Sequence, residues 1–280
     1  MQEGEFSRTA LGAAGHRAAH QVLEGGHVFF DPLALRVLGP EAQAAIAEAD
    51  DHPARRGLRL FVAVRSRFAE DAARRAIALG TRQIVVLGAG LDTFAFRVEP
   101  IAGLRVYEVD HPATQAEKRR RLAAAEIVAG AEVVFAGCDF ERESFAEALA
   151  AAGFDREAPS FFVWLGVTPY LSREAIEAAF ATIAALPSGA EVAFDYANPA
   201  GSIDNPAMRA AHEELARRVA AAGEPLRTFF ETPALHSRLG ELGLSVVEDL
   251  GPAEIAARFF PGAPARSGAG GHVALARTRA

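Results

Sequence analysis

The sequence predicts an α/β protein built on one mostly parallel sheet, and three observations carry that reading. Short apolar runs recur after residue 80, each separated from the next by a stretch with helical spacing. That is the pattern of strands covered on both faces by helices. The first 80 residues show helical spacing and no strand-like run. The run Gln83 to Leu87 passes directly into Gly88, Ala89 and Gly90 and then a helical pattern. Strand, glycine turn and helix start together mark a nucleotide-type ligand site. The expected organisation is a helical cap over 1–80 and a ligand-binding core over 81–280.

Each element has its own signal. Residues 7–23 are alanine-rich, with Leu11, Ala14, Ala18 and Val22 at helical spacing, and Gly25 and Gly26 stop that helix. Asp31 and Pro32 read as N-cap and first residue of a helix through Leu33, Leu35 and Leu38. Residues 41–49 suit a short helix, broken at His52 and Pro53. Leu60, Phe61, Val64, Phe68, Ala72, Ala76 and Leu79 recur at three and four, a long helix over 58–79 that ends at Gly80. Strands are expected at 83–87, 104–109, 132–135, 160–165, 191–196, 244–249 and 271–276. Helices between them open at Pro112, cover 142–151, run from Ser172 to before Pro187, cover 204–222, and start at Thr232. About 21 residues rich in Pro and Gly, with weak helical character, separate the last two strands, so an antiparallel pairing at one edge is expected.

Composition narrows the function classes. The net charge of −7 argues against nucleic acid, which needs a basic face. No apolar run reaches the roughly 18 residues of a membrane span. Glu3 and Glu5, with no apolar segment behind them, do not make a signal peptide. One cysteine, Cys138, rules out an intrachain disulfide and any multi-cysteine metal site. These features fit a cytoplasmic enzyme. His16 and His20 have i,i+4 spacing without the Glu of a zinc-protease motif, so no metal is expected. Neither a Gly-x-Ser-x-Gly elbow nor a phosphate-binding Gly-Lys-Ser/Thr occurs, and the single lysine, Lys118, lies in a helix.

In such a sheet a ligand sits beyond the carboxyl ends of the strands. After the first strand, Gly88, Ala89 and Gly90 let backbone approach a ligand. A dinucleotide fingerprint would place Gly or Ala where Thr93 stands, which counts against a nicotinamide oxidoreductase. After the second strand, Asp110 lies 22 residues beyond Gly88, near where a ribose needs an acceptor. An N-cap role is the alternative for Asp110, and Glu108 is a competing carboxylate on the same strand face. After the third strand, Asp139 beside Phe140 suits an adenine, with an N-cap equally open for Asp139. After the fourth come Trp164, as core or pocket wall, and Tyr170 at the end of an irregular loop. After the fifth, Asp195, Tyr196 and Asn198 offer a carboxylate, a phenol and an amide.

Four blocks together resemble a known family: Val64-Arg65-Ser66-Arg67-Phe68-Ala69-Glu70-Asp71; Val86-Leu87-Gly88-Ala89-Gly90-Leu91-Asp92-Thr93 with Arg97; Tyr107-Glu108-Val109-Asp110-His111-Pro112; and Trp164-Leu165-Gly166-Val167-Thr168-Pro169-Tyr170-Leu171. The chain is similar to the leucine carboxyl methyltransferase family, most closely its bacterial branch of S-adenosylmethionine-dependent O-methyltransferases, some tied to polyketide products. Arg17 and the run Phe30-Asp31-Pro32-Leu33-Ala34 also resemble that branch. The resemblance implies a seven-stranded, Rossmann-like class I methyltransferase sheet. It implies Arg65 on the methionine carboxylate, Gly88 as a backbone approach, Asp110 on the ribose hydroxyls, and Asp139 with Phe140 at the adenine. Relatives often carry an acidic residue at the position of Leu165, so that contact to the methionine amino group is not carried over.

The reaction this implies is methyl transfer to a carboxylate or hydroxyl oxygen of a small molecule, such as a natural product. A carboxylate needs no base, whereas a hydroxyl needs one within hydrogen-bond reach. The base candidates are His20, Tyr170, Asp195 and Tyr196, and Arg17, Trp164 and Tyr170 are candidates for contacting the acceptor. A non-catalytic S-adenosylmethionine-binding partner protein is the reading from another class. Oligomeric state is not legible.

Overall fold

The structure is a computed structural model that describes residues 6–262 and 268–279. Four helices precede the first strand: α1 (Arg8–Leu23), α2 (Ala34–Leu38), α3 (Glu41–Asp51) and α4 (Arg56–Ala78). The strands are β1 (Gln83–Leu87), β2 (Arg105–Asp110), β3 (Glu132–Gly137), β4 (Ser160–Trp164), β5 (Ala190–Ala197), β6 (Leu244–Leu250) and β7 (Gly271–Thr278). Between them lie α5 (Phe94–Arg97), α6 (Pro112–Ala124), α7 (Phe145–Ala151), α8 (Arg173–Ala184), α9 (Pro206–Ala221), α10 (Thr232–Glu241) and α11 (Pro252–Phe259).

The strands form one seven-stranded sheet in the order β3-β2-β1-β4-β5-β7-β6. β1 to β5 pair in parallel, and β7 runs antiparallel to both of its neighbours. The expected antiparallel pairing is present, with β7 set one place in and β6 outermost.

Strand alternation divides the interior in two. Ile84, Val86, Val106, Phe161 and Val163 point to one face, where Val64, Phe68, Ala72 and Ala76 of α4 cover them. Val85, Leu87, Tyr107, Phe162 and Trp164 point to the other, under Phe145, Ile176, Phe180, Leu235 and Leu239. Burial on both faces explains why these strands read as continuous apolar runs.

α4 therefore belongs to the sheet's cover, since its apolar stripe has strands to pack on. Of the expected cap over 1–80, α1 to α3 stand apart, around their own apolar cluster of Ala14, Ala18, Val37, Leu38 and Ala42 with Leu91 and Leu122. Two further expectations change. The helix after the glycine turn is only the four residues of α5: Val98 is already extended (ψ 137°), and Pro100 two residues on could not continue a helix. In the segment expected to be weakly helical, Pro252 at N1 and the Glu254 carboxylate on the Gly251 N–H (3.1 Å) start α11. No helix of the described residues is long and apolar enough to cross a membrane.

Candidate functional site

The chain runs from β1 outward to β3, then returns to lay β4 on the other side of β1. The loops after β1 and β4 thus part at the topological switch point, where ligands of such sheets bind. Gly88 (φ 64°) and Gly90 (φ 49°) occupy the left-handed region. A Cβ on Gly88 would lie 2.2 Å from Val167 Cγ2, and one on Gly90 3.2 Å from the Ala10 Cβ of α1. The close approach at Gly88 is therefore to the loop after β4, not to open space. The N–H groups of Gly88 and Ala89 donate to the Val109 carbonyl (2.8 and 3.2 Å), which fixes the turn against β2.

Arg65 reaches this point from α4. Its Nη1 lies 3.0 Å from Asp195 Oδ2 at the end of β5, and its side chain keeps 14% of its surface accessible. Gly166 (φ 69°) lets the guanidinium pass, since a Cβ there would sit 2.5 to 2.8 Å from it. Asp195 Oδ1 accepts the Gly166 N–H, and the Asp195 carbonyl accepts from the Thr168 hydroxyl at 2.7 Å. Leu165 is half-buried against the α4-side core. One carboxylate thus holds both the arginine and the loop after β4 in register.

At the end of β2 the two competing carboxylates separate. Glu108 is 1% exposed and lies 2.6 Å from the Lys118 Nζ of α6. Burial pushes the Glu108 carboxyl up to about 7 against the pull of Lys118. Asp110 stays at the rim, accepting from the N–H of Gly90 and of His111 (2.6 Å). Burial raises its pKa, opposed by those two bonds. His111, not Asp110, caps α6 by accepting from Ala113 N. Asp139 is 32% exposed; its Oδ1 accepts from Glu141 N (3.1 Å), an Asx turn rather than a helix cap. Phe140 is half-buried, its ring 6.3 Å from that of Phe145.

On the cap side the charges are spent. Arg17 donates to the Leu91 carbonyl, and its guanidinium lies 3.6 Å from Asp31 and 4.0 Å from Asp92. Asp31, 1% exposed, also accepts from Thr93 Oγ1 (2.7 Å) and lies 3.2 Å from Arg97 Nε. Its expected capping survives only as an Asx turn to Leu33 N (3.0 Å). Arg97 in turn grips Glu70 through both terminal nitrogens. Burial opposes the charge on Asp92, but Arg17, Lys118 and Arg97 hold its pKa below the usual carboxylate range. Arg17, an acceptor-contact candidate, is thus a tie between α1 and the turn after β1, and Thr93 serves the same junction.

The remaining candidates scatter. His20 is 0% exposed and bonded to Glu24 (3.2 Å), which leaves it out of reach of an acceptor. Trp164 is 0% exposed and packs edge-on to Phe180, 5.2 Å away, so it is core rather than pocket wall. Tyr196 points to the opposite sheet face from Asp195, where its hydroxyl donates to Asp249 (2.7 Å) beside His272. Tyr170 remains half-buried next to the site, with burial raising its phenol pKa. No group of three or more His, Cys, Asp or Glu among the described residues has metal-site geometry.

Sequence reasoning missed His16, weighed there only as half of a metal-like pair. It is half-buried, and burial, followed by Arg218, Arg59, Arg65 and Arg55, pulls its imidazole down to about 4. Also missed was Glu224, whose carboxylate accepts from the N–H of Arg8 (2.9 Å) and Thr9 (3.1 Å) and from both hydroxyls of Ser7 and Thr9. No sequence spacing connects a residue after α9 to the first turn of α1.

Residues 10–184 match the model of the family described as leucine carboxyl methyltransferase. The chain is 33% identical over 199 residues to a Bacillus subtilis protein named "Putative S-adenosyl-L-methionine-dependent methyltransferase YktD", covering 70% of this chain and 64% of that one. It is 37% identical over 180 residues to a Streptomyces coelicolor protein of the same description, covering 62% and 63%. The matched part thus falls short of two thirds of these relatives' lengths. Among solved structures, a methyltransferase-like protein from Thermobifida fusca superposes with a TM-score of 0.58 at 19% identity, over 100% of this chain and 97% of that one. A Streptomyces avermitilis protein of the DUF574 family gives 0.57 at 19% identity, over 95% and 97%. These two show the fold. The chain belongs to the leucine carboxyl methyltransferase family, whose curated relatives are named for S-adenosylmethionine.

Proposed function

We propose that this family member is an S-adenosylmethionine-dependent methyltransferase that methylates an oxygen, carboxylate or hydroxyl, of a small molecule such as a natural product. The observation that carries the reading is Arg65 at the switch point, threaded past Gly166 and held by Asp195. A partly accessible guanidinium in that place suits a ligand carboxylate, which it can grip with two parallel hydrogen bonds. Asp110 at the rim of β2 suits two ribose hydroxyls. Asp139 and Phe140, at the next strand end, supply an acceptor and an apolar ring for adenine. One cationic donor and two carboxylate acceptors therefore suit the cofactor's methionine, ribose and base in turn.

Bound S-adenosylmethionine would supply an electrophilic methyl group on a sulfonium. What the protein contributes is orientation of the acceptor against it, with α1 to α3 acting as a lid that keeps water out. Among the base candidates, Asp195 is committed to Arg65 and Gly166, while His20 and Tyr196 are bonded away from the site. Tyr170, its pKa raised, serves as a hydrogen-bond donor to the acceptor rather than as a base. Such a site favours an acceptor that arrives already ionised.

Calorimetric titration tests the reading. S-adenosylmethionine and S-adenosylhomocysteine should bind, and NAD should not. Folded protein that gives no heat with S-adenosylmethionine overturns it.

A further inference from the structure

Arg65 and Asp195 are opposite charges in contact at the switch point, and neither exhausts the other. Asp195 Oδ2 accepts from Arg65 Nη1 (3.0 Å), and Oδ1 accepts from the Gly166 N–H. A carboxylate has about four acceptor sites, so about two remain. Among the described residues Nη1 is the only nitrogen of Arg65 in a hydrogen bond, which leaves Nε and Nη2 without one. Both side chains keep some accessible surface, 14% for Arg65 and 5% for Asp195.

Contacts join this pair to the glycine turn. Val167 Cγ2 lies 2.2 Å from where a Gly88 Cβ would stand, and Gly166, next to Val167 in sequence, lets the Arg65 guanidinium pass. The turn after β1, the loop after β4 and the arginine thus converge on one point. The other carboxylates around the turn have their own partners. Asp110 accepts from the N–H of Gly90 and of His111; Asp92 accepts from Phe94 N (2.7 Å) and faces Arg17 (4.0 Å). Leu165 packs against the α4-side core and offers no charge. Asp195 is the only ion-pair partner of Arg65 among the described residues. The amino-acid end of S-adenosylmethionine is a zwitterion. A guanidinium alone satisfies its carboxylate and repels its ammonium. A partly desolvated ammonium needs an anion of its own beside it.

We propose that Asp195 sets specificity for the cofactor's amino-acid end: it accepts the α-ammonium while Arg65 takes the α-carboxylate. Four charges then alternate in sign around the contact, two from the protein and two from the ligand. The inference deepens the methyl-transfer reading and rests on it for the identity of the ligand. It gives Asp195 a second duty beside holding Gly166. It also supplies from β5 the acidic contact that Leu165 has no charge to make.

Calorimetry on the full chain with three ligands tests this: S-adenosylhomocysteine, its analogue lacking only the amino group, and its analogue lacking only the carboxylate. The unsubstituted protein should bind S-adenosylhomocysteine about tenfold or more tightly than either analogue, since each leaves one protein charge unmet. Asp195→Asn should abolish the preference over the des-amino analogue and keep the preference over the decarboxylated one. Arg65→Gln should do the reverse. A carboxylate that only braces the loop would weaken all three ligands by one common factor, and that result overturns the proposal. An unsubstituted protein that binds the des-amino analogue within about twofold of S-adenosylhomocysteine overturns it too, with no variant needed. Folded protein that gives no heat with S-adenosylhomocysteine sinks the methyl-transfer reading and the ammonium contact together. S-adenosylhomocysteine bound without regard to its amino group sinks the ammonium contact alone.

Discussion

Arg17 of α1 and Arg218 of α9 sit in opposite electrostatic conditions. Arg17 sits in a closed circuit: Asp31, Asp92 and the Leu91 carbonyl surround it, and Asp31 passes the circuit on through Thr93 and Arg97 to Glu70. Arg218 is partly buried with no carboxylate within 4 Å among the described residues, and its charge adds to the burial that keeps His16 neutral. The same side chain is an internal fastener in one place and an open valence in the other. Arg17 is the more buried of the two, at 7% exposure, yet it is the one whose charge is met.

The comparison can be broken most forcefully at Asp31. Asp31→Ala leaves Arg17 and Arg97 without their shared carboxylate, and a denaturant titration should show a loss of about 3–5 kcal/mol, the usual cost of removing one partner from a buried ion pair. An unchanged midpoint would dissolve the idea of a closed circuit.

His16 tests the open side through pH. Its folded pKa is about 4 against 6.5 in an unfolded chain. Between those values the unfolded chain holds a proton that the folded one refuses, so stability rises with pH across that window. The contribution is complete above the unfolded value and is lost as pH falls towards the folded one, up to about 3 kcal/mol in all. His16→Asn should therefore flatten the acid limb of a stability profile relative to the parent. Parallel limbs would show that neither burial nor the arginines lower its pKa in the folded chain.

Arg65 lies between the two conditions, paired yet accessible. Arg65→Ala should weaken S-adenosylmethionine binding by some tens of fold, about 2 kcal/mol by calorimetry, because a charged hydrogen-bond pair is lost. Affinity within twofold of the parent would free Arg65 from the cofactor. The smallest effect has the opposite sign. Arg218→Leu removes an uncompensated charge and should raise stability by about 0.5–1 kcal/mol, where Asp31→Ala lowers it. Destabilisation instead would mean that Arg218 has a structural partner.

Much of the fold was legible because β1 and β4 are buried at every residue and so carry unbroken apolar runs. The four-block resemblance named Asp110 and Asp139, which the sheet brings to the carboxyl ends of β2 and β3, and Arg65, which α4 lays against Asp195 of β5. What escaped was long-range pairing. Asp195 meets Arg65 across 130 residues, and Glu224 meets Arg8 across 216; periodicity reports only neighbours three or four apart. One miss was avoidable. Asp195 and Tyr196 are adjacent on β5, so alternation sends them to opposite faces, and both could not have lined one site. Trp164 fails by the same parity, one residue before the half-buried Leu165. Spacing shows Thr93 only as the absence of a glycine; the bond from its hydroxyl to Asp31 has no signature in the sequence.

The Glu108–Lys118 pair reaches beyond the site. Lys118 is the only lysine in the chain and is 1% exposed. The folded molecule thus presents no ε-amine to acylating reagents, cross-linkers or a lysine-specific protease. Any modification at Lys118 must wait until α6 lifts from β2, so its rate would count openings of that contact directly, against a background of no competing lysine.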